Sequence, residues 1–497
     1  MNKSSTPWLV GLVLLVFAIP TRLYRIDWSV SGDHTTMLNG VRGLREKPFT
    51  SLEGLSAGEL QSRYLPLSYF LQGLAFDTFG WDEAGSRTGS AVVGAITIAL
   101  VGVVVSRLYG VVNGVIVGTS LLLCAWILMH HQGNRHYSYA LFFGSTSLLM
   151  TADAWRKNTW ARGALAGLLT ALAVGILPVL LLLPCAVAVF MFIEIALRRS
   201  SFPRSSMIAY WAVCVPLTVC GMAPFVWFMS TYERSFLDWG STPWRSVAGL
   251  FFNLGFSVAA FAAVGWVRAV SKGDVTERLC AAIAATSLAA CLIMPIFGSF
   301  KHDYVLPLTL AMFLLASRTV TIMHDAVVQV HGRAFAAAMA AAILLIPLPS
   351  LASYYQDGDR KDYRAAANFI RENMREGDIV SADTIGALGY YLDCPVEEAS
   401  RLVTRPRRSI ERLTKLISTG RRVWYVLRFS RDDTPLEADR WLWHHAIRMK
   451  RIRHKRFDYH VNLLDIYLFN PTQEDLEHIR AHAEGSPTST APRERPG

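Results

Sequence analysis

The chain has 497 residues, of which 52% are hydrophobic and 18% charged, and a formal net charge of +11. Soluble domains carry about 25% charge, so one water-soluble core of this size is excluded. The long apolar runs lie in residues 88–350, while 351–497 have ordinary soluble composition; the cations sit in short loops rather than in one block, which argues against nucleic acid as a partner.

The N-terminus, MNKSSTPWLVGLVLLVFAIPTRLYR, carries one Lys and a short apolar stretch but no small-residue cleavage site. It reads as an uncleaved first membrane helix rather than a signal peptide. With it, eleven spans are expected, at roughly 7–23, 88–107, 110–129, 138–154, 160–176, 177–197, 208–230, 247–268, 278–299, 303–317 and 333–350. Lipid offers the backbone no hydrogen-bond partner, so these are helices. One set of alternate connections holds twelve cations: Arg107, Arg156, Lys157, Arg162, Arg198, Arg199, Arg204, Arg268, Lys272, Arg278, Arg318 and Arg333. The opposite set holds four, Arg135, Arg234, Arg245 and Lys301. Positive loops stay in the cytoplasm. The N-terminus is then cytoplasmic, and an odd number of spans puts the C-terminal domain outside a multi-pass cytoplasmic (inner) membrane protein.

Residues 24–87 form an outer loop far longer than the others. It holds two apolar or helical pieces, around Asp33-His34-Thr35-Thr36 and from Leu65-Pro66-Leu67 to Phe76. The second is too short to span, so re-entrant or interfacial helices are expected. Long structured loops usually carry function. Beyond residue 350, DYRAAANFI opens an amphipathic helix, and the runs at 379–382, 422–427 and 463–469 read as strands. The fold class is a polytopic α-helical membrane protein, with the membrane module at 1–350 and an extracytoplasmic soluble α/β domain at 351–482. Residues 483–497, polar and Pro-rich, read as a disordered tail. Six cysteines, Cys124, Cys185, Cys214, Cys220, Cys280 and Cys291, fall in apolar segments; with Cys394 they show no metal spacing and no disulfide framework.

The short first span, the outer loop with Gly32-Asp33-His34, the segment LPLSYFLQGLAFDTFG and the span SRTGSAVVGAITIALVGVVVSRLYG follow one another in an order that resembles the GT-C superfamily of membrane glycosyltransferases. The similarity is to the branch of protein O-mannosyltransferases and lipid A aminoarabinose transferases. NRHYSYALFF at 134–143 and KHDYVLPLTLAMFLLA at 301–316 resemble later segments of that branch, and DYRAAANFIRENMREGDIV resembles its appended outer domain. The resemblance runs from residue 7 to about 317. It implies an inverting hexosyl- or pentosyltransferase of cell-envelope glycosylation. Such an enzyme moves a sugar from a polyprenyl-phosphate donor to a glycan, lipid or protein hydroxyl at the outer face. No cofactor is implied beyond the donor. The family often has Asp-Glu at the loop motif; here the second residue is His34, so no paired-carboxylate metal site is expected.

The reaction needs a base for the acceptor hydroxyl, cations for the leaving phosphate and an apolar groove. Read alone, Gly32-Asp33 is well explained as a helix N-cap; the resemblance makes Asp33 the base, with His34 assisting. Arg63, Arg135 and Lys301 come from three outer connections, each beside an aromatic, Tyr64, Tyr137 and Tyr304. Arg suits phosphate oxygens, although Arg and Tyr also anchor helix ends at the interface. Glu53, Glu59 and Trp239 are further sugar-contact candidates, each also explained as surface or interfacial. The alternative functions are a lipid-linked glycan transporter or flippase and a non-catalytic membrane scaffold. Transporters place ionisable groups within spans, and here the spans are almost free of charge.

Overall fold

In the computed structural model, the described residues are 5–29, 32–48, 55–197, 202–231, 242–297, 300, 302–357, 362–383, 385–392, 394–398, 406–430, 436–455, 461–475 and 477. They separate into two compact units: one contains residues 1–27 and 36–356, the other residues 28–35 and 357–497.

The first unit is helical throughout. Its elements are α1 (Thr6–Leu23), the body of α2 (Gly32–Glu46), α3 (Ala57–Tyr64), α4 (Pro66–Phe79), α5 (Gly85–Tyr109), α6 (Val111–Leu123), α7 (Ala125–His131), α8 (Tyr137–Lys157), α9 (Trp160–Ile176), α10 (Leu182–Ala196), α11 (Arg204–Thr231), α12 (Pro243–Leu254), α13 (Phe256–Lys272), α14 (Val275–Phe297), α15 (Leu310–His331), α16 (Arg333–Leu345) and α17 (Leu348–Asp357). Seven helical segments among the described residues are each long and apolar enough to cross a membrane. Two of the expected spans, 110–129 and 247–268, are instead bent pairs: α6 and α7 meet at 68°, α12 and α13 at 103°. Gly255 makes the second bend with φ +86°, a conformation open to glycine at little cost. The expected span at 303–317 is also displaced. Pro307 lies in a 3₁₀ turn, His302–Leu308, and the α-helix begins after it and runs to His331, so Arg318 lies within α15.

A broken helix frees carbonyls that lipid cannot satisfy. At the α6–α7 break, the buried Arg22 of α1 donates to the carbonyls of Leu121 (3.1 Å) and Leu122 (3.0 Å). Gln132 donates to the carbonyls of Arg22 (3.0 Å) and Tyr24 (2.9 Å), and the Tyr354 hydroxyl donates to Gln132 Oε1 at 2.7 Å. Thus α17 clamps the turn that ends α1 against the turn that follows α7.

Charges gather at the opposite ends of these helices. Asp274 and Glu277 cap the start of α14 reciprocally, backbone N–H to carboxylate, at 3.0 and 2.9 Å. Glu277 also accepts from Arg268 (2.8 Å) and Arg318 (2.7 Å). Asp274 accepts from Arg156 (2.9 Å) and from the Tyr109 hydroxyl (2.9 Å). Arg278 forks onto Glu194 of α10 at 2.6 and 2.8 Å. Several of the cations counted in the loop-charge expectation are therefore paired locally.

The second unit is a five-stranded sheet flanked by helices. Its elements are α18 (Tyr363–Asn373), β1 (Ile379–Ala382), α19 (Ile385–Gly389), β2 (Val396–Glu398), α20 (Pro406–Ile417), β3 (Val423–Ser430), α21 (Leu436–His445), β4 (Ile447–Lys455) and β5 (Val461–Phe469). The strand order is β2-β1-β3-β5-β4; β1 pairs in parallel with β2 and β3, and β5 runs antiparallel to β3 and β4. Ile370, Val380, Trp424, Val426, Ile466 and Leu468 are buried in one layer of its core. Asp362 caps α18, accepting from Ala365 N at 2.9 Å.

The two units divide the stretch expected to form the long loop at residues 24–87. Residues 28–35 cluster with the sheet-bearing unit. Ser29 Oγ accepts from Arg364 N (3.1 Å) and from the Tyr391 hydroxyl (3.3 Å). Gly386 lies so close to Thr35 that a Cβ there would stand 2.6 Å from its Oγ1.

Candidate functional site

The helices α2 to α4 are seated on the rest of the helical unit by side chains with no sequence signature. Gln72 of α4 donates to Ser90 Oγ of α5 (3.2 Å) and to the carbonyl of Arg135 (3.2 Å), while its Oε1 accepts from the Tyr139 hydroxyl at 3.4 Å. One amide thereby fixes α4, α5, α8 and the 132–136 turn together. The helix–helix corner of the loop is packed by Met37, Leu38, Val41, Leu65, Tyr69 and Phe76.

Four of the expected ligand residues converge beside this turn. Tyr137 and Tyr304 each lie within electrostatic reach of both Arg135 and Asp303, and Tyr64 within reach of Tyr304. Burial, and then proximity to Tyr304, pushes the Tyr64 phenol well above its ordinary value. Burial and then Asp303 raise Tyr304, with Arg135 acting in the opposite sense. Both phenols therefore remain hydroxyl donors at working pH, suited beside a cation to anionic oxygens.

The other expected residues are placed differently. Arg63 is fully buried, and its Nη2 donates to the carbonyls of Gly43 (3.1 Å) and Lys47 (3.3 Å), so it caps the end of α2. Nη2 is thereby committed to helix carbonyls left open at a C-terminus, a structural role beside the expected one as a phosphate ligand. Glu59 completes a capping box with Ser56 and pairs with Lys47 at 2.7 Å, which accounts for it structurally. Asp33 is the second residue of α2, and its side chain lies outside the described residues, as do Glu53, Trp239 and Lys301. His34 is buried near the start of the same helix.

Asp303, Trp126, His130 and His302 were not singled out as site residues from sequence. Trp126 Nε1 donates to Asp303 Oδ1 at 2.9 Å, and His130 Nε2 lies 3.4 Å from the same oxygen. His302 stands 3.7 Å from that oxygen and is held by Asn253 at 2.7 Å. The Tyr137 ring packs on His130 with centroids 4.4 Å apart. Burial alone would raise the Asp303 carboxyl, but the hydrogen bond and charge of His130, the charge of His302 and the Trp126 bond together hold it well below the usual carboxylate range.

Below Tyr64 the chain enters an apolar cavity of about 300 Å³. Pro66 and Leu67 of α4, Leu168 and Ala171 of α9, and Leu217 and Cys220 of α11 line it. The Tyr64 ring packs on Phe228 and Phe225 at centroid distances of 4.8 and 6.1 Å. These follow the cavity-lining Pro224, so the cavity and the aromatic edge of the polar cluster share one stretch of α11. Leu168, Leu217 and Cys220 are exposed on the outside of the bundle.

The crystal structure of ArnT from Cupriavidus metallidurans bound to undecaprenyl phosphate superposes with a TM-score of 0.55 at 13% identity, over 92% of this chain and 97% of that one. The chain has the GT-C fold. The apo form of the same ArnT matches at 0.52 and 13% identity, over 93% and 98% of the two chains. The Archaeoglobus fulgidus oligosaccharyltransferase, a larger GT-C protein, matches at 0.54 and 12% identity over 84% of this chain and 69% of its own. No protein-family model and no curated protein sequence matches the chain. At these identities the GT-C likeness is one of fold, and the chemistry has to be argued from the residues.

Proposed function

We propose that the protein is an inverting glycosyltransferase, hexosyl or pentosyl, that moves a sugar from a polyprenyl-phosphate donor to an acceptor hydroxyl at the outer membrane face. One observation carries the reading: the cluster of Arg135, Tyr137, Tyr304 and Tyr64 meets, at Tyr64, the stretch of α11 that lines an apolar cavity. That pairing suits an amphiphile with an anionic head and a long apolar chain, and the similar ArnT was crystallised with such a molecule. Arg135 and the phenols would hold the phosphate as it leaves, neutralising the charge that grows on it. Asp33, by resemblance, would take the acceptor proton. No cofactor is invoked.

The test uses the native cysteines. Cys220 lies in the cavity, and Cys185 is exposed elsewhere on the bundle. In detergent, undecaprenyl phosphate should slow alkylation of Cys220 by N-ethylmaleimide while Cys185 reacts unchanged, and inorganic phosphate should protect neither. Arg135→Ala should raise the lipid concentration needed for protection by about 10- to 100-fold, the usual worth of a hydrogen bond to a charged group. Unprotected Cys220 at saturating lipid would remove the cavity from the donor site.

Orientation is part of the same proposal, with N-terminus in and soluble domain out. A reporter active only in the cytoplasm, fused after Tyr355, should be silent; strong signal there would invert the topology.

A further inference from the structure

Asp303 is an anomaly in a site read as a phosphate cradle. It is a carboxylate within electrostatic reach of the same two phenols that Arg135 faces, and like charges repel. Its geometry is also lopsided. Trp126 Nε1 at 2.9 Å, His130 Nε2 at 3.4 Å and His302 Nε2 at 3.7 Å all address Oδ1. No described residue bonds Oδ2, and the side chain is 22% exposed, while His130 behind it is 3% exposed. A carboxylate that merely tied the 3₁₀ turn to α7 would be expected to share its donors between both oxygens. Here every donor among the described residues addresses one oxygen, and the side chain that carries the other is partly exposed. The donor set is itself supported. Asn253 of α12 holds His302 at 2.7 Å, and α12 has Gly249 where a Cβ would stand 2.5 Å from the His302 ring.

We infer that Asp303 is a sugar-recognising carboxylate, whose Oδ2 accepts a hydrogen bond from a hydroxyl or ammonium group of the donor's sugar. This rests on the reading of Arg135 and its phenols as the lipid-phosphate site. The group bonded to the phosphate is the sugar, so an anion beside a phosphate cradle meets the part of the ligand that carries hydrogen-bond donors. Carboxylates accept from such donors strongly, and a site built to pair a substrate hydroxyl discriminates against ligands that lack it. Trp126 and His130 are positioning residues. They hold Oδ1 so that Oδ2 points at the ligand without rotation.

The experiment compares two ligands on the full-length protein in detergent: undecaprenyl phosphate, and a panel of undecaprenyl-phosphate-linked hexoses and pentoses, each read by protection of Cys220 from N-ethylmaleimide. Asp303→Asn keeps an acceptor oxygen for Trp126 and His130, so folding should persist. The tightest-binding sugar lipid of the panel should lose about 10- to 100-fold in affinity in the variant. Undecaprenyl phosphate should bind as before or somewhat more tightly, a like charge having been removed. Trp126→Phe, which frees Oδ1 but keeps the charge, should give a smaller loss confined to the sugar lipid. Equal losses for both ligands, or none for either, would overturn the assignment. So would a wild-type protein that binds no sugar lipid more tightly than the bare lipid phosphate. A wild-type protein that binds neither ligand would instead refute the lipid-phosphate reading itself.

Discussion

Asp33→Asn should lower sugar transfer by about 10²-fold or more while leaving donor binding in place. The attacking acceptor hydroxyl becomes positive as the new bond forms, and a carboxylate that takes its proton typically contributes 10²–10⁴-fold. Asparagine keeps the size of the side chain and caps helices about as well as aspartate. The two readings of Asp33 therefore diverge in a single variant. A residue that only starts α2 would leave both rate and folding near normal when changed to Asn. A base would lose turnover with donor affinity intact, and the protection of Cys220 by undecaprenyl phosphate supplies that control independently of chemistry. Near-normal turnover in Asp33→Asn would remove this residue from the mechanism.

Loss of one partner of the Glu194–Arg278 pair should be the largest stability effect of any single change in the membrane body. Glu194 is 1% and Arg278 16% exposed, and the guanidinium forks onto both carboxylate oxygens at 2.6 and 2.8 Å, joining α10 to α14. Removing one member of such a buried pair strands the other charge, at a cost of roughly 3–5 kcal/mol. Glu194→Ala should therefore unfold in detergent at markedly lower temperature than the parent, as followed by tryptophan fluorescence. The double change Glu194→Leu with Arg278→Leu should recover most of the loss, because a matched apolar pair has no stranded charge. If Glu194→Ala melts with the parent, the pair contributes nothing measurable.

Several features of the molecule were determined by local chemistry and are visible in the sequence alone. Long apolar runs oblige helices because lipid leaves no alternative for the backbone. Pro66 at the start of a helix, Asp362 as a cap and the β-rich runs 379–382, 422–427 and 463–469 act within a few residues of themselves. The strands β2 and β4 were not evident. β2 is only three residues long, and β4, IRMKRIRHK, is dominated by cations that an edge strand tolerates on its solvent side. The grouping of Tyr64, Arg135, Tyr137 and Tyr304 could be anticipated because all four lie in connections on one side of the bundle.

Only the tertiary structure decided what each charged group does there. Arg63 and Arg135 look alike in sequence, each an arginine one or two residues before a tyrosine. Yet Arg63 Nη2 caps α2 through the carbonyls of Gly43 and Lys47, whereas Arg135 lies within reach of Tyr137 and Tyr304. Asp303 carries no signal in the sequence, and Trp126, 177 residues away in the chain, supplies the hydrogen bond that fixes one oxygen. The segment carrying Asp33 and His34 reads as part of the membrane module, but Ser29 is bound by Arg364 and Tyr391 of the soluble domain. The physical reason is the same in each case. Secondary structure follows from interactions within a turn or two, but a buried polar group is settled by whichever distant donor or acceptor the fold brings to it.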